Sequence, residues 1–243
     1  MPARPTRPPA TDSWGGAPLD IERLRKLWKP RRDAYAKALL HEGIRIRMHR
    51  ALTWLEFAER CDGTRDLDAR LVAQWISLNS LYGQWDVRSG SPMADRESLR
   101  LFTTHIFSHD HDKLLASVLV ANTKLAVSLF EDRYLCKHIW EHPTAPKARD
   151  RGRTPLHAGH AARELLREGQ HAAFLERLLS RVHFVRNQLV HGGSSYNGAL
   201  NRTAVRRASV MMEHLLGCFL QILMEHGYVD DWGDLCYPPI QER

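Results

Sequence analysis

Apolar residues that return every three or four positions, in one long segment after another, restrict this chain to helices. The clearest case leads into RVHFVRNQLVHGG (Arg181 to Gly193), where Leu175, Leu178, Val182, Val185 and Leu189 mark one helical face. Gly192-Gly193 then stops the helix, because glycine readily takes the left-handed conformation that follows one. Leu67, Leu71, Trp75, Leu78 and Tyr82 repeat the pattern, as do Val205, Ala208, Met212, Leu215, Phe219 and Ile222. Alternating β-branched runs are few, so the expected class is all-α. At 243 residues, 43% apolar and 26% charged, the chain can bury a sizeable core and reads as globular.

Taken in order, residues 1–17 are rich in Pro, Gly and Arg without periodicity, and are expected to form a flexible tail. A first helix is expected from Pro18-Leu19-Asp20, with Leu24, Leu27 and Trp28 inside. Pro30 should interrupt it and open a second helix that runs through Leu52 and Leu55 to Arg60. After the polar turn Cys61–Thr64 comes LDARLVAQWISLNSLYGQW, whose stripe is widened by Val72, Ile76 and Asn79. A buried Asn79 must be hydrogen-bonded or cost about 1–3 kcal/mol. It would satisfy a kinked backbone or helix end, or else brace the candidate site. Residues 83–92 read as a loop, 94–107 as a helix, and Lys113–Trp140 as one long helix. Pro143–Pro155 is a basic connection, with short helical pieces near Ala161–Leu166. The whole reads as one domain over 18–229 with an insertion at about 86–160, and a tail, 230–243, that packs back on the body.

Net charge is +7 and Arg far outnumbers Lys. Arg forks onto phosphate oxygens and stacks on bases, so the balance leans towards RNA or another polyanion. Cys61, Cys136, Cys218 and Cys236 are scattered with no Cys-x-x-Cys pair, the pattern of reduced thiols in a cytoplasmic protein. No apolar run follows the early Arg residues and no stretch approaches 18 uninterrupted apolar residues, so neither a secretory signal nor a membrane span is expected. Histidines are frequent. HIFSHDHD supplies His105, His109 and His111; Cys136, His138 and His142 form another group, and His157 and His160 a third. His at i and i+4 suits zinc, but a structural site takes four ligands and no Cys stands near. These residues read as solvent-facing or capping, with no metal or cofactor expected; a zinc site from His105, His109 and His111 ranks third among the functional readings.

The chemistry is sought at the end of the Leu175–Leu189 helix. Arg186 and Asn187 precede the Gly-Gly stop, and His191 lies four residues after Asn187 on the same face. A histidine at a helix C-terminus meets the partial negative charge there, which favours its protonated form. Arg-x4-His alone occurs three times, as Arg100/His105, Arg133/His138 and Arg186/His191. Only the third has Asn after Arg, Gly-Gly after His and an apolar helix leading in. Arg202, Arg206 and Arg207 follow at the start of the last helix, where they strengthen the pull of a helix N-terminus on anions and are candidate RNA contacts.

RNQLVHGG (Arg186–Gly193) resembles the R-x4–6-H signature of the HEPN superfamily, and QWISLNSLYGQW (Gln74–Trp85) resembles the Trp-Ile-x-x-Asn-x-x-Tyr helix of its longer, Apea-like members. The resemblance spans about residues 45–226. It implies a helical bundle that dimerises through the motif-bearing helices, and metal-independent endoribonuclease activity in many members. Arg186 and His191 would be the catalytic pair, Asn187 their polar companion, and Asn79 and Tyr82 supporting residues. Val190 stands where toxins modified by a partner nucleotidyltransferase carry Tyr. Some HEPN domains only bind nucleotides or assemble partners. The expected reaction is attack of an RNA 2′-hydroxyl on the neighbouring phosphate, in a toxin or phage-defence setting where an antitoxin or regulatory protein is a possible partner. It needs a base, an acid and a cation, so two copies facing across a homodimer would supply what one Arg and one His cannot.

Overall fold

The computed structural model describes residues 20–35, 42–136, 154–227 and 230–238. Helices dominate it: α1 (Ile21–Tyr35), α2 (Glu42–Arg60), α3 (Leu67–Tyr82), α4 (Asp95–His109), α5 (Leu114–Ala121), α6 (Thr123–Phe130), α7 (Pro155–Arg167), α8 (His171–Val190) and α9 (Arg202–His226). A two-residue hairpin, β1 (Trp85–Asp86) against β2 (Ser91–Pro92), is the one sheet among the described residues. The all-α expectation therefore holds.

α9 is the axis of the bundle. Val205, Ala208, Met212, Leu215 and Phe219 are fully buried, and Met211, Leu216 and Leu220 close the rest of the circumference. A helix apolar all round must be covered all round, and α1, α3, α4, α5, α6 and α8 supply the cover. By length and composition alone α9 is apolar enough to cross a membrane, yet 78% of its most apolar window is buried by the other helices. One hydrophobic cluster joins residues of every helix, including Phe102, Ile106, Leu119 and Phe130 from the stretch read as an insertion. That stretch contributes to the core.

α2 and α3 form an antiparallel pair across the turn at Asp62, whose Oδ1 accepts from the backbone N–H of Thr64 and Arg65. Between them the buried Ser77 hydroxyl donates to the Ala51 carbonyl at 2.9 Å. The expected α3 stripe is buried throughout, but it widens towards α2, through Ala73, Gln74, Ser77 and Leu81. Val72 and Ile76 are only half-buried and Asn79 is exposed, so the Asn79 amide is not a buried group that must find a partner. Pro30 does not divide α1, which continues to Tyr35. A proline inside a helix removes one backbone donor and crowds the preceding turn; here the Arg31 guanidinium donates to the Leu27 carbonyl at 3.0 Å beside the break.

The long helix expected over 113–140 is three elements as far as Cys136, where the described residues stop. Asn122 Nδ2 donates to the Val118 carbonyl and Thr123 Oγ1 to that of Val120, the competition by which short polar side chains interrupt a helix. After α6, Asp132 caps a 3-10 turn over Arg133–Leu135. The expected basic connection lies outside the described residues up to Thr154, and so do His138, His142 and the tail 1–17.

Residues 230–238 do pack back. Trp232 is buried and donates from Nε1 to the Gly227 carbonyl, and Leu235 forms an antiparallel bridge with Gln84. Arg47 from α2 holds this segment. Only 1% exposed, it donates to the carbonyls of Leu81, Gly83, Trp232, Gly233 and Asp234. Burial lowers its pKa to about 10, so it remains a cation at neutral pH.

Candidate functional site

The C-terminal end of α8 meets the N-terminus of α4 and the middle of α3. Arg186 Nη2 donates to Asp95 Oδ2 at 3.1 Å, and its guanidinium lies 4.9 Å above the Trp75 ring. Asp95 opens α4, where the helix dipole favours a carboxylate. Its other oxygen accepts from the buried Tyr82 hydroxyl at 3.3 Å. Tyr82 thus joins Arg186 through Asp95, with its own ionisation pushed far up by burial and by that carboxylate. His183, one turn before Arg186 and Asn187, packs on Trp75 at 5.3 Å with its Nε2 3.8 Å from Asp95 Oδ2.

His183 is half-buried. Desolvation, then the Arg186 charge, lower its pKa below the ordinary 6.5, with Asp95 opposing and His191 adding to the depression. It is therefore neutral at neutral pH and within electrostatic reach of His191. His191 occupies the C-cap of α8, followed by Gly192 at φ 71°, the left-handed residue that glycine accommodates. Its ring is exposed and makes no hydrogen bond to another described residue.

Several polar atoms here are shielded and lack a partner among the described residues: Trp75 Nε1, Arg186 Nε and Asn187 Oδ1. Unpaired buried donors and acceptors are uncommon, and these three are groups that a polar ligand could satisfy. Trp75, Asp95, His183 and Asn187 line a groove of ≈ 710 Å³. Asn79 is not in it. It lines a second cavity of ≈ 330 Å³ together with Arg50, Gln84 and Tyr237, and Asp95 is common to both. No family model matches this chain. No curated protein and no solved structure matches it either.

The three arginines that follow the site divide. Arg202 is a fastening: Nη2 donates to Asp68 Oδ2 at 2.9 Å, while the same oxygen accepts from the backbone of Asn197. Tyr196 donates to Asp66 at 3.0 Å, so the α8–α9 loop is tied to the start of α3 and Arg202 is committed to holding it. Arg207 lies 3.9 Å from Asp132, and Arg206 is exposed with no hydrogen bond or ion pair to the described residues. Of the expected RNA contacts, Arg206 is the one left free.

Asp95 and His183 were missed by the motif. Helical spacing alone places His183 with Asn187, just as it pairs Asn187 with His191. Asp95 carried only the signal of an acidic first helical turn, 91 residues from Arg186. At the far end of α4, His105 and His109 converge on Asp230, and these three are the described residues placed to hold a metal ion, along with Asp112, Glu225 and His226.

Proposed function

We propose that the protein is a metal-independent endoribonuclease acting on exposed, single-stranded or loop RNA, in line with the HEPN resemblance of RNQLVHGG and QWISLNSLYGQW. The observation that carries this reading is the meeting of a neutral His183 and an aromatic-backed Arg186 at Asp95, with His191 exposed at the end of the same helix. The 2′-hydroxyl gives its proton to an imidazole as its oxygen attacks phosphorus. The bond from phosphorus to the 5′-oxygen breaks, and a second, protonated imidazole supplies that oxygen with a proton. A 2′,3′-cyclic phosphate and a 5′-hydroxyl result. His183 is suited to the first transfer and His191 to the second, with Arg186 holding the crowded phosphate and Asn187 orienting an oxygen or His191. In-line attack needs an unstacked backbone, hence the preference for loops. A toxin or phage-defence role follows from the resemblance alone.

The homodimer belongs to the same proposal. Val190, Tyr196 and Leu200, at 54%, 69% and 64% exposed, surround the motif end, and a second copy would cover them while bringing its own His191 to the cleft. Purified protein incubated with mixed-sequence RNA should leave cyclic-phosphate ends in the presence of EDTA and leave DNA intact. His191→Ala and Arg186→Ala should each slow cleavage about 10²–10⁴-fold. Cleavage at the wild-type rate by His191→Ala, or its abolition by EDTA, would sink the assignment. One observation favours a second reading, a nucleotide- or RNA-binding module without catalysis: Arg186 is already committed to Asp95. RNA bound tightly and recovered uncut is its signature.

A further inference from the structure

We propose that His105, His109 and Asp230 form a divalent-metal site, matched best by Zn²⁺, which clamps the C-terminal segment to α4. The two histidines lie four residues apart on α4, so both rings leave the same face. His105 Nε2 is 2.6 Å and His109 Nε2 3.2 Å from one atom, Asp230 Oδ2. All three ligand atoms lie within 4.8 Å of one another. Zinc bonds of about 2.0–2.2 Å in tetrahedral geometry put ligand atoms roughly 3.4 Å apart, so the two imidazoles would have to draw back from Asp230 Oδ2 by small side-chain movements to admit the ion.

The surroundings orient these ligands. Asp230 Oδ1 accepts from the backbone N–H of Asp231 at 3.0 Å, which presents Oδ2 to the rings as a single-oxygen ligand. Trp232 stacks on His105 at 4.3 Å and approaches His109 at 5.5 Å, limiting the rotation of both. His109 is only 11% exposed whereas Asp230 is 49% exposed, so an ion would be walled on one side and open on the other. Three protein ligands and one open position are the arrangement of zinc sites that keep a water or an external ligand. His111, the third member expected from the sequence, faces His226 instead at 4.8 Å, and Asp230, 121 residues beyond His109, takes its place.

Nothing in this proposal depends on the nuclease reading, since the site lies about 15 Å along α4 from Asp95. Metal-free protein titrated with Zn²⁺ against a chromophoric chelator should bind one equivalent at these residues. Co²⁺ in its place should give the intense visible bands of a tetrahedral site. His105→Gln and Asp230→Asn should each weaken binding at least tenfold, with unchanged helical circular dichroism showing that they fold. Zinc at about a hundredfold excess over its dissociation constant should raise the melting temperature of wild type by about 5–10 °C and leave Asp230→Asn unmoved. His111→Gln and Asp112→Asn should bind as wild type does. Absence of stoichiometric Zn²⁺ at micromolar concentration overturns the proposal, as does binding lost in His111→Gln or Asp112→Asn but kept in Asp230→Asn.

Discussion

Asp95 joins Arg186 and Tyr82 through its two oxygens, and its charge is felt by a third group, His183. Because it raises the pKa of a His183 that burial and Arg186 lower, Asp95→Asn should drop that pKa further, an upfield step readable in an NMR titration of the imidazole. The same depression has a consequence for stability. A histidine that folds neutral binds fewer protons than its unfolded counterpart, so its contribution is complete above the unfolded value near 6.5 and is lost as pH falls through the lower folded value. Urea midpoints measured at pH 7 and pH 5 should therefore converge in His183→Gln relative to wild type. Arg186 and Tyr82, which meet at Asp95, were singled out in the sequence by a motif and an apolar stripe, as were Asn187 and His191. Asp95 was not, since an acidic residue at a helix start is ordinary and its partner is remote in the chain. Asn79 was misread for a different reason: periodicity shows that a helix has an apolar face, but which flank of that face is covered depends on where α2 packs.

Among the elements, the ones legible in the sequence are those whose period is unbroken. α8, α9 and the α3 stripe follow their apolar repeats, and the helix expected over 94–107 is observed at Asp95–His109. The misreadings fall at punctuation. Asn122 and Thr123 broke an apparently continuous helix through side-chain hydrogen bonds that periodicity does not register, whereas Pro30, which looked decisive, was absorbed. Pro30 is exposed in the middle of α1, where proline costs up to about 3 kcal/mol relative to Ala. Pro30→Ala should accordingly raise stability by about 1–3 kcal/mol in chemical denaturation. Arg47 is the opposite case, a buried residue serving several elements at once. Arg47→Leu strands backbone carbonyls of α3 and the C-terminal segment together, and should cost about 3 kcal/mol or more by the same measurement.

At the scale of the molecule, self-association should depend on the rim of the motif. If the proposed homodimer forms through this rim, Leu200→Asp places a charge where the second copy would seat an apolar side chain, and sedimentation should show wild type as a dimer and the variant as a monomer at the same concentration. If the two subunits share one cleft, mixing Arg186→Ala with His191→Ala should recover part of the cleavage that each lacks alone. The internal stitching of the subunit has a temporal meaning as well. Arg47 finds three of its acceptors 185 to 187 residues downstream, so during vectorial synthesis α2 and α3 emerge and pair long before those acceptors exist. Until Trp232 to Leu235 leave the ribosome, the guanidinium lacks these acceptors and Gln84 lacks its bridge to Leu235. Closure of this part of the bundle thus waits on Trp232 to Leu235, and a chain halted short of them would leave exposed to quality-control proteases a cation that the finished fold encloses.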